Sequence, residues 1–235
     1  MELGTAFHAG RRSGPAAHCV ARWPAVAGLL ALLSAMPAQA LQAELQVLEN
    51  TGKPVAGAVV MLRSVRADRA PPAPVHAVMD QLNRAFVPHV LIVPVGSSVT
   101  FPNGDTVSHQ VYSFSLAKKF QLSLYRGSPN PPVTFEQAGV VTLGCNIHDA
   151  MRAYIFVVDG QYYGRTDSSG MWSTTVEPGE YTVIAWHPLS RDMQPFLETR
   201  VTVGAGGERV RMPLQAAAPL KLRPESTVPP NWDAY

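Results

Sequence analysis

From residue 43 onward, hydrophobic and polar positions alternate over short stretches broken by Gly, Pro, Asn and Ser clusters. Alternation with a period of two is the signature of a half-buried strand, and no helix pattern is expected outside the first forty residues. Residues 43–62 read as two alternating strands around the turn Asn50-Thr51-Gly52-Lys53-Pro54. Residues 65–74 carry Pro71, Pro72 and Pro74, which remove ladder donors, so this stretch is expected to be a connection. A short strand at 75–80 follows, then a strand, turn and strand running from Phe86 to Asn103, and a further strand at 111–115. Residues 116–132, with Lys118, Lys119 and a Ser-Pro-Asn-Pro-Pro loop, are expected to form a surface excursion. Next, 133–145 is a turn feeding a strand on which Val141, Leu143 and Cys145 share one face, so the thiol should point into the apolar interior. Strands at 153–159 and 181–186 and a final pair near 197–203 and 208–214 complete an all-β reading.

The 235 residues divide unevenly. Residues 1–40 have the parts of a secretory signal peptide: a basic leader with Arg11, Arg12 and Arg22, an apolar run from Ala25 to Met36 too short to span a bilayer, and the small-x-small site Ala38-Gln39-Ala40. Cleavage after Ala40 and a periplasmic location are expected. The Arg11-Arg12 pair raises twin-arginine export, but Ser13-Gly14-Pro15 fits that signal poorly, and ordinary secretion is the expectation. Cys19 precedes the apolar run, which argues against a lipoprotein anchor. Without the leader's three Arg and one Glu, basic and acidic residues balance, so the formal charge of +2 belongs to the leader. No basic cluster interleaved with aromatics is present, so no nucleic-acid partner is expected, and no membrane span after cleavage. Residues 216–235, rich in Ala and Pro, read as a flexible tail.

With the leader removed, Cys145 is the only cysteine, and an oxidising compartment makes a lone thiol conspicuous. It opens Cys145-Asn146-Ile147-His148-Asp149-Ala150-Met151, which spaces a thiolate, an imidazole and a thioether three residues apart. Soft sulfur favours Cu(I) and imidazole favours Cu(II), so this is a copper-ligand set lacking one histidine. His109, at the end of an upstream strand-and-turn pattern, is the candidate for it. A buried structural thiol is the bland alternative. Structural zinc normally takes more than one thiolate, a Cys-His nucleophile lacks an orienting third residue, and a binuclear copper site needs a second cysteine. His89, His187 and His76 are expected to be structural or surface residues.

The His109 and Cys145–Met151 segments, with the preceding Phe86-Val87-Pro88 strand opening, resemble the cupredoxins, the blue-copper proteins. The short Cys-x-x-His-x-x-Met loop is most similar to that of amicyanin. The resemblance implies a cupredoxin Greek-key β-sandwich over 75–158 holding one type 1 copper on His109, Cys145, His148 and Met151. It also implies a periplasmic carrier of single electrons, with no enzymatic activity of its own, serving a redox protein such as a c-type cytochrome or a dehydrogenase. Gln110 stands where the family often has an asparagine tying the two ligand loops, a role Asn103 or Ser108 could take instead. Asp149 replaces amicyanin's proline and would lower the copper potential if close enough. A second resemblance, to carboxypeptidase-regulatory-like modules, rests on Gly52-Lys53-Pro54-Val55-Ala56-Gly57-Ala58-Val59-Val60, Thr166-Asp167-Ser168-Ser169-Gly170 and Pro178-Gly179-Glu180-Tyr181-Thr182-Val183. It implies a small β-sandwich split in sequence, 43–66 and 159–215, with the copper domain inserted. The competing expectation is a non-redox copper-binding or adhesion module in which that sandwich is the working part.

Overall fold

The computed structural model describes residues 41–49, 51–66, 69–188, 197–204 and 209–213; the expected signal peptide and the 216–235 tail lie outside the described residues. The described secondary structure is entirely β. Near the chain's start, β1 (Leu41–Leu48) alternates as its sequence does, burying Ala43, Leu45 and Val47. It pairs with β14 (Met171–Val176) and, in parallel, with β17 (Arg209–Pro213). Against that sheet lies a second one, in the order β13 (Tyr162–Arg165), β2 (Val59–Ser64), β15 (Gly179–Trp186), β16 (Leu197–Val203). Residues 43–62 are therefore not a hairpin, because β1 and β2 belong to different sheets with Leu45, Val47, Val60, Leu62, Tyr181 and Val183 packed between them.

The segment between β2 and β13 builds two more sheets. One has the order β6 (Val90–Pro94), β12 (Arg152–Val158), β11 (Gly139–Gly144), β8 (Tyr112–Ser115), β9 (Lys118–Gln121). The other has β10 (Val133–Phe135), β7 (Ser97–Thr100) and β3 (His76–Val78). Val99, Phe135, Val141, Leu143, Ile155 and Val157 fill the space between them. The polypeptide passes from β6 to β7, and so from one sheet to the other, through Gly96, whose φ of +85° suits a residue without a side chain. A small hairpin, β4 (Asp80–Leu82) and β5 (Ala85–Val87), belongs to neither sheet, and its Phe86 packs into the core between them.

The two sandwiches meet through a third buried cluster in which Val59 and Met61 of β2 and Ile184 and Trp186 of β15 pack on Val90, Tyr154, Phe156 and Val158 of β6 and β12. This explains a departure from the expected alternation in β2. Val59 to Leu62 are all buried, with odd positions facing the neighbouring sandwich and even positions facing their own. Strands covered on both faces read as unbroken apolar runs, and β12 and β15 show the same burial.

The expected surface excursion at 116–132 needs correction at its start. Lys118–Gln121 forms β9, joined to β8 by the tight turn at Leu116 and Ala117. Its lysines conceal the strand pattern and suit the sheet edge it occupies, where charge discourages pairing with other chains.

Candidate metal centre

His109 is placed by main-chain bonds. Its N–H donates to Tyr125 O at 3.1 Å, and Tyr125 N–H donates back to His109 O at 3.0 Å. Asn103 stiffens the loop leading to it, giving its side-chain amide to Val107 O at 2.9 Å and Tyr125 O at 2.8 Å, while its Oδ1 accepts the Asp105 N–H at 3.0 Å. Asp105 Oδ2 then lies 3.0 Å from Nε2 of the fully buried His109 ring. The hydrogen bond from His109, with the N–H groups of Arg84 and Thr106, holds the Asp105 carboxyl down to about 2, so it is ionised and accepts. An ionised acceptor on Nε2 puts the ring proton there and leaves the Nδ1 lone pair free. That Nδ1 points at Cys145, 3.8 Å from Sγ.

Cys145 continues the β11 periodicity. It is buried in one cluster with Val141 and Leu143, and it is a free thiol. His148 follows in a turn closed by the Met151 N–H, which donates to His148 O at 2.9 Å. The His148 ring sits half-buried with its centroid 5.0 Å from that of His109. Its Nδ1 is buried and has no hydrogen-bond partner. Met151 is buried in the same cluster as Cys145. The two sulfur residues also help line a pocket of about 320 Å³ with Tyr112, Phe114, Asp149 and Arg152.

His109, Cys145 and His148 thus bring two imidazoles and a thiol together with their ligand atoms within 4.8 Å of one another. Bonds of about 2.0–2.3 Å to nitrogen and sulfur put the donors of a trigonal set roughly 3.5–4 Å apart. The Nδ1–Sγ separation of 3.8 Å falls in that range. A buried imidazole nitrogen without a partner is costly unless something binds it, and a metal ion at this point satisfies it. The residues present fit a single soft-to-borderline metal ion.

Of the sequence-predicted residues, His109, Cys145 and His148 converge directly, and Met151 lies buried beside them. Gln110 links the two ligand loops, its Oε1 accepting from Asn146 Nδ2 at 2.6 Å. The residue that sequence reasoning missed is Asp105. The signal available was its place four residues before His109 in an Asn-Gly-Asp-Thr turn, where a carboxylate can fold back onto the following chain. His89 packs edge-on to Tyr154 and bonds the Arg152 main chain, and burial lowers its pKa. His187 is buried, bonds the Ala56 main chain, and is pushed down to about 4 by burial. His76 shares a hydrogen bond with Ser98 Oγ at 3.0 Å on the surface. None of the three belongs to the cluster.

No family model matches the chain, and no curated protein does. Among solved structures it is similar to a purple cupredoxin from Nitrosopumilus maritimus, at 23% identity over 35% of this chain and 99% of that one, with a TM-score of 0.32. It is also similar to amicyanin from Paracoccus versutus, at 18% identity over 42% of this chain and 98% of that one, TM-score 0.31. A copper-containing nitrite reductase from Thermus scotoductus matches at 24% identity over 41% of this chain and 25% of that one, TM-score 0.33.

Proposed function

We propose that this chain is a periplasmic type 1 copper protein that carries single electrons between redox partners and catalyses no reaction itself. The observation that carries the reading is the convergence of His109 Nδ1 and Cys145 Sγ beside the unpartnered His148 Nδ1. Bound copper supplies a one-electron couple in a ligand set that suits both oxidation states. Cys145, a buried free thiol, would provide the covalent sulfur bond from a water-excluded interior. Asp105 holds His109 in the tautomer that presents Nδ1. Met151, from the same buried cluster, would be the fourth ligand and would tune the potential.

His148 is the half-exposed member of the set, and Ile147 beside it is 54% exposed. This edge, with Ala150, is the port through which a partner such as a c-type cytochrome or a dehydrogenase exchanges electrons. The sandwich formed by β1, β2 and β13 to β17 is split in sequence by the segment that carries the copper site and shares a buried layer with it.

The test is the visible and electron-paramagnetic-resonance spectrum of residues 41–235 after Cu(II) addition, with Cys145→Ser as control. An intense blue thiolate-to-copper band with narrow hyperfine splitting, absent from the control, is expected. A colourless protein, or binding indifferent to Cys145, overturns the carrier reading.

A further inference from the structure

The tip of the β4–β5 hairpin meets the loop that carries Asp105. Leu82 pairs with Ala85 across the tip, and the residues between them, Asn83 and Arg84, take left-handed angles of φ +52° and +58°. Residues with side chains disfavour that region, and such a turn persists where its surroundings over-determine it. The turn aims one amide: the Arg84 N–H donates at 2.8 Å to Asp105 Oδ2, the oxygen that also meets His109 Nε2. The other carboxylate oxygen accepts the Thr106 N–H at 2.8 Å, so the carboxylate plane is held on both sides.

The hairpin is in turn tied to the segment before Asp105. Asp80 Oδ1 accepts the Gly104 N–H at 3.1 Å. Leu82 Cδ2 occupies the space a Cβ on Gly104 would need, 2.7 Å away. The fully buried Gln81 donates to Pro102 O at 3.1 Å and bridges to the main chain of Asn103.

We propose that the β4–β5 hairpin is a positioning element for the ligand His109, acting through Asp105, with the Arg84 main-chain amide and the Asp80 carboxylate as its working groups. Its effect on a metal rests on the copper reading above. Its effect on the His109 ring does not. The amide fixes the carboxylate, the carboxylate fixes the ring, and the ring's other nitrogen is thereby aimed at the Cys145 sulfur. A carboxylate free to rotate would let the imidazole pivot and blur that direction.

The experiment follows the His109 Nε2–H by proton–nitrogen NMR in the copper-free protein, assigned by its loss in His109→Gln. Three variants are compared. Arg84→Gly keeps the amide and suits the left-handed angle, Arg84→Pro removes the amide hydrogen and, with φ locked at about −65°, the left-handed turn that aims it, and Asp80→Ala releases Gly104. Wild type and Arg84→Gly should show the same slowly exchanging signal. In Arg84→Pro and Asp80→Ala its exchange should quicken roughly tenfold, the scale of one lost hydrogen bond to a charged group. With copper added, hyperfine splitting and midpoint potential should shift in these two while the Cys145-dependent blue band stays. Unchanged Nε2–H exchange in folded Asp80→Ala and Arg84→Pro overturns the proposal, and if Arg84→Pro does not fold, Asp80→Ala decides alone. Failure of wild type to bind copper would strike the carrier reading and leave the NMR comparison to decide the hairpin's role.

Discussion

The ring of Tyr154 on β12 meets that of Trp186 on β15 at a centroid distance of 5.2 Å and an interplanar angle of 64°. One residue comes from the five-stranded sheet that carries the strand leading to Cys145 and the other from the neighbouring sandwich, and Phe156 adds a second contact to the same indole at 5.8 Å. Trp186 is only 3% exposed, so it anchors the shared layer.

Trp186→Ala should therefore cost about 3–5 kcal/mol, the usual range for deleting a buried large aromatic. Urea unfolding followed separately by tryptophan fluorescence and by circular dichroism should show both sandwiches weakened in one transition. A loss below about 1 kcal/mol would mean that the layer contributes little to cohesion.

Asp105→Ala removes the acceptor on His109 Nε2. Metal affinity should fall by about 10–100-fold, the typical loss when a partner behind a ligating histidine is deleted. The potential should rise, because the negative charge held behind the imidazole, which favours the oxidised metal, is gone. Chelator competition and potentiometric titration read the two effects, and unchanged values for both would remove Asp105 from the site.

Burial pushes His187 down to about 4, against about 6.5 in an unfolded chain. Between these values the unfolded state binds the proton and the folded state does not, so stability rises with pH. The contribution is complete above about 6.5 and is lost as pH falls toward 4, on the order of 3 kcal/mol for this residue. Melting temperature should drop across that window in wild type and markedly less in His187→Gln. Parallel curves would show that the acid sensitivity lies elsewhere.

Gly170 closes the Thr166-Asp167-Ser168-Ser169-Gly170 turn with φ +70°, and a Cβ there would lie 2.4 Å from Val47 O. The obstruction is main chain, which cannot swing aside as a side chain can. Gly170→Ala should cost about 2–4 kcal/mol from the left-handed angle and the clash together. A thermal melt within a degree of wild type would contradict this.

Much of the site was legible in sequence because its information is local. Cys145, His148 and Met151 lie on one short loop, and the period of two along Val141, Leu143 and Cys145 sets which way the thiol faces. Asp105 was less legible, since its carboxylate is given a purpose by Arg84, a residue on another hairpin. The edge strand at Lys118–Gln121 was hidden by its lysines, which answer to solvent and to negative pairing rather than to a core.

By itself the sequence determined that the chain is built of strands, where most of them run, and which residue types could ligate a metal. These follow from side-chain period, turn chemistry and donor softness, all properties of neighbouring residues. Tertiary structure alone decided what covers each strand. Val59 to Leu62 and Ala153 to Val158 are apolar without a break because a sheet lies on each side of them. It also decided that His109 would meet Cys145, through the pairing of Gly144 with Tyr112 that sets β11 beside β8. Periodicity reports how much of a strand is buried, whereas the identity of its neighbours depends on contacts between residues far apart in the chain.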